Sequence, residues 1–140
     1  IYIGNGHAGW EAANANLFSK GDKALVLAVG QFGLSWANSA RAMGIEVEVL
    51  DFGKSSPADM GRVEAALRAD TRHQIKAVLT THVDTASTIK TDIPALRKAN
   101  DATLIAAPGT SCRHQIHDGT GKNALHPIEI LANRLEATTR

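Results

Sequence analysis

Gly21-Asp22-Lys23-Ala24-Leu25-Val26-Leu27-Ala28-Val29-Gly30-Gln31-Phe32-Gly33 is the stretch that decides the fold. Its centre, residues 24–29, is a continuous apolar run with a glycine following it directly and another shortly before. A strand with one wet face alternates apolar and polar residues. A short run with no polar break is expected where both faces are covered, as in a parallel sheet with helices on either side.

The same rhythm extends outward in both directions. Glu46-Val47-Glu48-Val49-Leu50 alternates, which places it nearer an edge, while residues 75–80 and 103–107 are further apolar runs expected to join 24–29 at the centre of the sheet. Helical patterns lie between. Residues 9–18 are rich in alanine and end before Gly21, and residues 33–43 close at Gly44, a good position for a left-handed cap. Ser56-Pro57-Ala58-Asp59 reads as a helix start with a cap, a first-turn proline and an early acid, followed by Met60, Val63, Ala66 and Leu67 on one face. Thr91 or Asp92 caps a short helix through Leu96. Strand alternating with helix predicts an α/β fold, three-layered, with a mainly parallel sheet of four or five strands.

The chain has 140 residues, enough for one domain and one core, and its 44% apolar and 21% charged residues are ordinary for a globular protein. A formal charge of +1, with the 15 cations scattered, gives no pull toward nucleic acid or an anionic membrane. No apolar stretch approaches the roughly 20 residues of a membrane span, and no signal peptide is visible. The single cysteine, Cys112, excludes an intrachain disulfide and a cysteine-based zinc site, and fits a reducing compartment; the expected location is cytoplasmic. The chain opens on Ile1-Tyr2-Ile3, which reads as the tail of a strand, so the natural protein is expected to begin earlier.

Gly4-Asn5-Gly6-His7-Ala8-Gly9 follows that strand and opens a helix. Glycines let a ligand approach the backbone, and the free amides of a helix start attract anions, so the turn is a candidate phosphate site. It also matches the G-x-G-x-x-G of dinucleotide-binding folds. That fold wants an acid ending its second strand, and here Ala28-Val29-Gly30-Gln31 has none. A plain tight turn packing helix on strand is the third reading. His7 suits either a bound ring or a cap, and Trp10 reads as core or interface.

Four motifs together carry a resemblance: Gly4-Asn5-Gly6-His7-Ala8-Gly9-Trp10-Glu11-Ala12, Gly21-Asp22-Lys23, Gly30-Gln31-Phe32-Gly33, and Thr81-His82-Val83-Asp84-Thr85-Ala86-Ser87. In that order and spacing they resemble the class V pyridoxal-phosphate aminotransferases, and within them the serine–glyoxylate and alanine–glyoxylate enzymes. The resemblance covers residues 1–98 and implies part of a fold-type I cofactor domain. It implies that Asn5, Gly6 and His7 hold the cofactor phosphate and border its ring, that Phe32 stacks on the pyridine face, and that Thr85 places a hydroxyl near the ring. His82 and Asp84 are read as shaping that loop. The implied substrates are a small amino acid and a 2-oxo acid, and the full-length enzyme is expected to be a homodimer.

The chain departs from that pattern further on. The family places an aspartate at the pyridine nitrogen and, later, a lysine that bonds the cofactor and shuttles the proton. The corresponding strand here ends Ala106-Ala107-Pro108-Gly109, and Lys122 is the one lysine beyond Lys98. No catalytic residue is therefore assigned. From about residue 99 the sequence, with Ala107-Pro108-Gly109-Thr110-Ser111-Cys112-Arg113-His114-Gln115-Ile116 and Gly119-Thr120-Gly121-Lys122-Asn123-Ala124-Leu125-His126-Pro127, resembles the C-terminus of FAD-linked oxidases with an iron–sulfur domain. Residues 99–140 are expected to complete the same α/β unit. Cys112 reads as an inert thiol, and His114, His117 and His126 as solvated histidines rather than a metal site. Three functional readings follow: an incomplete, inactive aminotransferase, a non-catalytic phosphate- or nucleotide-binding module, and a nonfunctional chimera.

Overall fold

The computed structural model describes residues 6–98. Helix α1 (Gly6–Leu17) leads into strand β1 (Lys23–Ala28), helix α2 (Gln31–Ala42), strand β2 (Glu46–Asp51), helix α3 (Met60–Ala69) and strand β3 (Ile75–Thr80). A short hairpin, β4 (Val83–Asp84) and β5 (Ile89–Lys90), and helix α4 (Ile93–Lys98) follow. The order in the main sheet is β2-β1-β3, all parallel, so the α/β class and the parallel sheet are as expected.

Every residue from Ala24 to Val29 is 0% exposed. Side chains alternate across a strand. Ala24 and Val26 therefore join Ala37, Ala40, Ile45 and Leu79 in one cluster, with Phe18, Trp36, Val47 and Val49 packed around it. Leu25, Leu27 and Val29 fall on the opposite face and are buried too. Each fully buried Leu or Val contributes about 1.5–3 kcal/mol.

The neighbours of β1 sit as the sequence patterns suggest, with one difference. β2 runs in register with β1 from Lys23↔Glu46 to Ala28↔Asp51, and its half-buried residues fit an edge. β3 was expected to be central; among the described residues it takes the other edge, and residues 103–107, also expected at the centre, lie outside them. The β1–β3 register shifts once, between Lys23 and Ala24.

Helix α2 lies close on the sheet because the residues it turns inward are small: Gly33, Ala37 and Ala40 are its buried positions. A Cβ on Gly33 would stand 2.8 Å from the Ala28 Cα. The helix ends as a Schellman turn. The Gly44 N–H donates to the Arg41 carbonyl (2.9 Å) and the Ile45 N–H to the Ala40 carbonyl (3.2 Å), with Gly44 at φ +82° and Ile45 buried.

Two helix starts differ from expectation. α1 begins at Gly6, three residues before the alanine-rich stretch suggested. α3 begins at Met60, not at Ser56, because the Asp59 carboxylate accepts the Gly61 and Arg62 N–H groups (2.8 and 3.3 Å) and so caps the helix itself. Pro57 stands ahead of the helix, while Val63 is buried with Met60, Ala66 and Leu67 half-buried beside it, as their spacing suggests. At α4 it is Asp92, not Thr91, that caps, accepting the Ala95 N–H at 3.0 Å, and the helix runs on past Leu96 to Lys98. Among the described residues no helix is long and apolar enough to cross a membrane.

Gly44→Ala places a Cβ in a left-handed backbone and 3.0 Å from the Lys20 Cγ. We expect it to lower stability by about 1–2 kcal/mol, read as a lower urea midpoint at unchanged slope. Gly33→Ala, whose Cβ meets backbone rather than a flexible side chain, should lower the midpoint further. Equal midpoints for the two variants would contradict the close helix–sheet packing described.

Candidate functional site at the carboxyl end of the sheet

Because β1 is buried throughout, whatever chemistry it supports has to sit beyond its ends. Its carboxyl end runs through Gly30 directly into α2. Gly30 is the N-cap of α2 and has no side chain to cap with. The cap comes from far along the chain. Asp84, 0% exposed, accepts the Phe32 N–H at 2.9 Å and the Gly33 N–H at 3.2 Å through Oδ2, and the Ala86 N–H at 3.1 Å through Oδ1. A carboxylate at the positive end of a helix is favourably placed.

This contact also explains the glycine. The backbone of Gly30 is extended (φ 173°), open to any residue, but a Cβ there would lie 2.5 Å from the Asp84 Cγ. Gly30 is required by the approach of the carboxylate, not by its torsion angles.

Around this clamp the rings of two helices meet. His7, on the first turn of α1, lies 4.4 Å from the Trp10 ring and 6.1 Å, edge-on, from Phe32 on the first turn of α2. Trp10 also meets Phe32 at 6.2 Å and stacks on Trp36 at 5.5 Å with 10° between planes. The Trp36 indole N–H donates to the Asn14 Oδ1 at 3.1 Å, and Asn14 is buried. Trp10 thus serves as interface between α1 and α2 while its other side borders His7 and Phe32.

The hairpin reaches the same end of the sheet through Asp84. Thr85 is exposed in its turn, next to Asp84. Thr88 closes that turn at φ +62°, a strained conformation for a β-branched residue. The buried Thr91 anchors the hairpin's base, its hydroxyl donating to the Thr81 carbonyl at 2.9 Å and its N–H to the His82 carbonyl at 2.8 Å. The hairpin was not expected; its strands are too short for periodicity to reveal.

The structure therefore joins His7 and Phe32 directly, and joins Phe32 to the turn carrying Thr85 through Asp84. Gly6 and His7 lie in the first turn of a helix rather than in a loop before it. Asn5, Lys122, Cys112, His114, His117 and His126 lie outside the described residues. Among the described residues no cluster of histidine, cysteine or acid has the makings of a metal site. A separate polar depression of about 190 Å³ opens at the amino ends of β1 and β3, lined among others by Lys23, Glu48, Asp70 and Gln74. Three of its charged residues are engaged: Lys23 pairs with Glu48 at 2.6 Å and Asp70 accepts the Ile75 N–H at 2.7 Å.

No family model matches the chain. Similar proteins are nonetheless clear. Over 102 residues the chain is 38% identical to the serine–glyoxylate aminotransferase of Methylorubrum extorquens, covering 73% of this chain and 25% of that one. It is 39% identical over 104 residues to the L-aspartate–glyoxylate aminotransferase of Paracoccus denitrificans, covering 73% and 26%. Among solved structures, the pyridoxamine–pyruvate aminotransferase of Mesorhizobium loti superposes with a TM-score of 0.65 at 27% identity, over 74% of this chain and 27% of that one. The chain spans about a quarter of the length of these relatives. The described fold is that of part of a fold-type I aminotransferase.

His82 sits half-buried at the base of the hairpin. Burial, reinforced by the charge of Lys90, pushes its imidazole below the usual histidine value of 6.5. The unfolded chain then takes up this proton before the folded one does. The contribution of His82 to stability is present above about pH 6.5 and is lost as pH falls through the folded value. An NMR titration should give a His82 midpoint below 6.5 and a urea midpoint that falls with it; His82→Gln should flatten that part of the pH profile. A His82 midpoint above 6.5 would contradict the burial.

Proposed function

We propose that residues 1–98 form the part of a pyridoxal-phosphate aminotransferase domain that cradles the cofactor, in an enzyme moving an amino group from serine or alanine to glyoxylate. The observation that carries this reading is the edge-on meeting of His7 and Phe32, 6.1 Å apart, beyond the carboxyl end of the central strand. Open parallel sheets bind ligands at that edge. The glyoxylate aminotransferases named above match 102 and 104 residues of this chain.

The residues present fit the group. A phosphate needs free amides and space. The first turn of α1 holds no acid, and a Cβ on Gly6 would meet nothing within 4 Å. Asp84 already takes the equivalent end of α2, and this reading assigns the anion to the start of α1. Asn5, Gly6 and His7 would hold the phosphate, and His7 and Phe32 would border the ring. Thr85, exposed on the facing turn, would offer a hydroxyl. When bound, pyridoxal phosphate supplies an electron sink for bonds at the amino acid's α-carbon. The chain's own residues bind and orient it. Phe32 would stack against the ring, and His7 and Trp10 would shield one side of it from water.

Binding alone does not give turnover. Contacts that hold ground state and transition state alike leave kcat unchanged. Transamination also needs a lysine within reach of the reacting carbon and an acid at the ring nitrogen. Residues 99–140, with their oxidase-like sequence, have neither in the expected place. The reading adds a homodimer for the full-length enzyme, cytoplasmic, acting on a small amino acid and a 2-oxo acid.

Trp10, 4.4 Å from His7 and 6.2 Å from Phe32, is a built-in reporter. Pyridoxal phosphate should quench tryptophan fluorescence saturably. Phe32→Ala and His7→Ala should each weaken the apparent Kd by about threefold to tenfold. Serine or alanine with glyoxylate should be converted by the 140-residue chain no faster than by the free cofactor. Absence of saturable quenching would sink the cofactor reading. Conversion abolished by Lys122→Ala would overturn the expected inactivity.

A further inference from the structure

We propose that Asp84 is a positioning residue: its carboxylate fixes the first turn of α2 and thereby sets the Phe32 ring against His7. The proposal deepens the cofactor reading and rests on it for its functional consequence.

Three observations carry it. First, Asp84 is a charged residue at 0% exposure, and burying a carboxylate is costly unless its oxygens are hydrogen-bonded. Here Oδ2 accepts two N–H groups from α2 and Oδ1 accepts one from its own hairpin. Second, the residue whose N–H donates the shorter α2 bond, at 2.9 Å, is Phe32 itself. The clamp therefore acts on the backbone that carries the ring, 52 positions away in sequence. Third, Gly30 leaves open the space that the carboxylate fills: a Cβ there would lie 2.5 to 2.7 Å from all three carboxylate atoms.

The geometry makes Asparagine a sharp test. The site asks for acceptors on both sides of the group. An amide has one acceptor oxygen, so Asp84→Asn must turn its NH₂ either toward the Phe32 and Gly33 N–H groups or toward that of Ala86. One side is lost with little change in volume.

Asp59 provides the control. It caps α3 through the Gly61 and Arg62 N–H groups in the same manner, and its described hydrogen bonds are all within α3. Loss of either cap should lower the urea midpoint, so stability cannot distinguish positioning from a merely structural role. Three other readouts can, all on the full 140-residue chain. In Asp84→Asn the Phe32 and Gly33 amides should exchange about tenfold faster, the His7 ring protons should shift as the Phe32 ring current changes, and the apparent Kd for pyridoxal phosphate should rise about tenfold. Asp59→Asn should leave all three at wild-type values.

Unchanged His7 ring shifts and Phe32 exchange in Asp84→Asn would overturn the proposal, as would equal changes in Asp59→Asn. If Asp84→Asn does not fold, the wild-type chain decides. Its Phe32 and Gly33 amides should be protected from exchange although both lie in the first turn of a helix; exchange at the rate of an open peptide would overturn the proposal. Failure of the wild-type chain to bind pyridoxal phosphate would remove the cofactor reading alone, because the His7 shifts report the positioning without it.

Discussion

A strand buried on both faces leaves nothing for a ligand along its length. The 0% exposure of residues 24–29 imposes that constraint here, and the rest of the described structure follows from it. Helices must come close to the sheet, so α2 turns Gly33, Ala37 and Ala40 inward. The chain must leave the strand abruptly, so it turns at Gly30 straight into α2. Polar and aromatic groups collect beyond the strand's carboxyl end, where His7 meets Phe32 and the hairpin's Asp84 caps α2.

The starts of α1 and α2 are provided for differently. The amides of α2 are satisfied from within the protein by Asp84, across 52 residues of sequence. Those of α1 are offered no first-turn acid. One end is thus closed by a carboxylate from within the protein, and the proposed anion site is at the other. The stacked pair Trp10 and Trp36 ties α1 to α2, so the two ends are held in a fixed relation, with His7 and Phe32 between them.

The parts of this arrangement that arise from local pattern were legible in the sequence. The apolar run at 24–29, the alternation at 46–50 and the run at 75–80 became β1, β2 and β3 with bounds shifted by a residue at most. Gly44 was legible as a left-handed cap because one residue's chemistry decides it. Met60, Val63, Ala66 and Leu67 share a face as their spacing suggests, but the start of α3 was misplaced because Ser56 and Asp59 are both good caps, and the carboxylate won. The hairpin was missed because two-residue strands have no period. The role of Asp84 was read only as loop-shaping, since its partners are distant in sequence. One signal pointed to it: Gly30 opens a helix without a capping side chain, so some other acceptor had to arrive. The motif resemblance placed His7 and Phe32 on one site, and the structure shows the two rings in contact distance.

We propose that the carboxyl end of the sheet, between α1, α2 and the hairpin, receives the cofactor. Amide chemical-shift mapping of the 140-residue chain with pyridoxal phosphate tests it most directly. The account predicts perturbations grouped at residues 6–10, 30–34 and 82–87. Perturbations grouped instead around Lys23, Glu48 and Asp70, at the opposite depression, would contradict it.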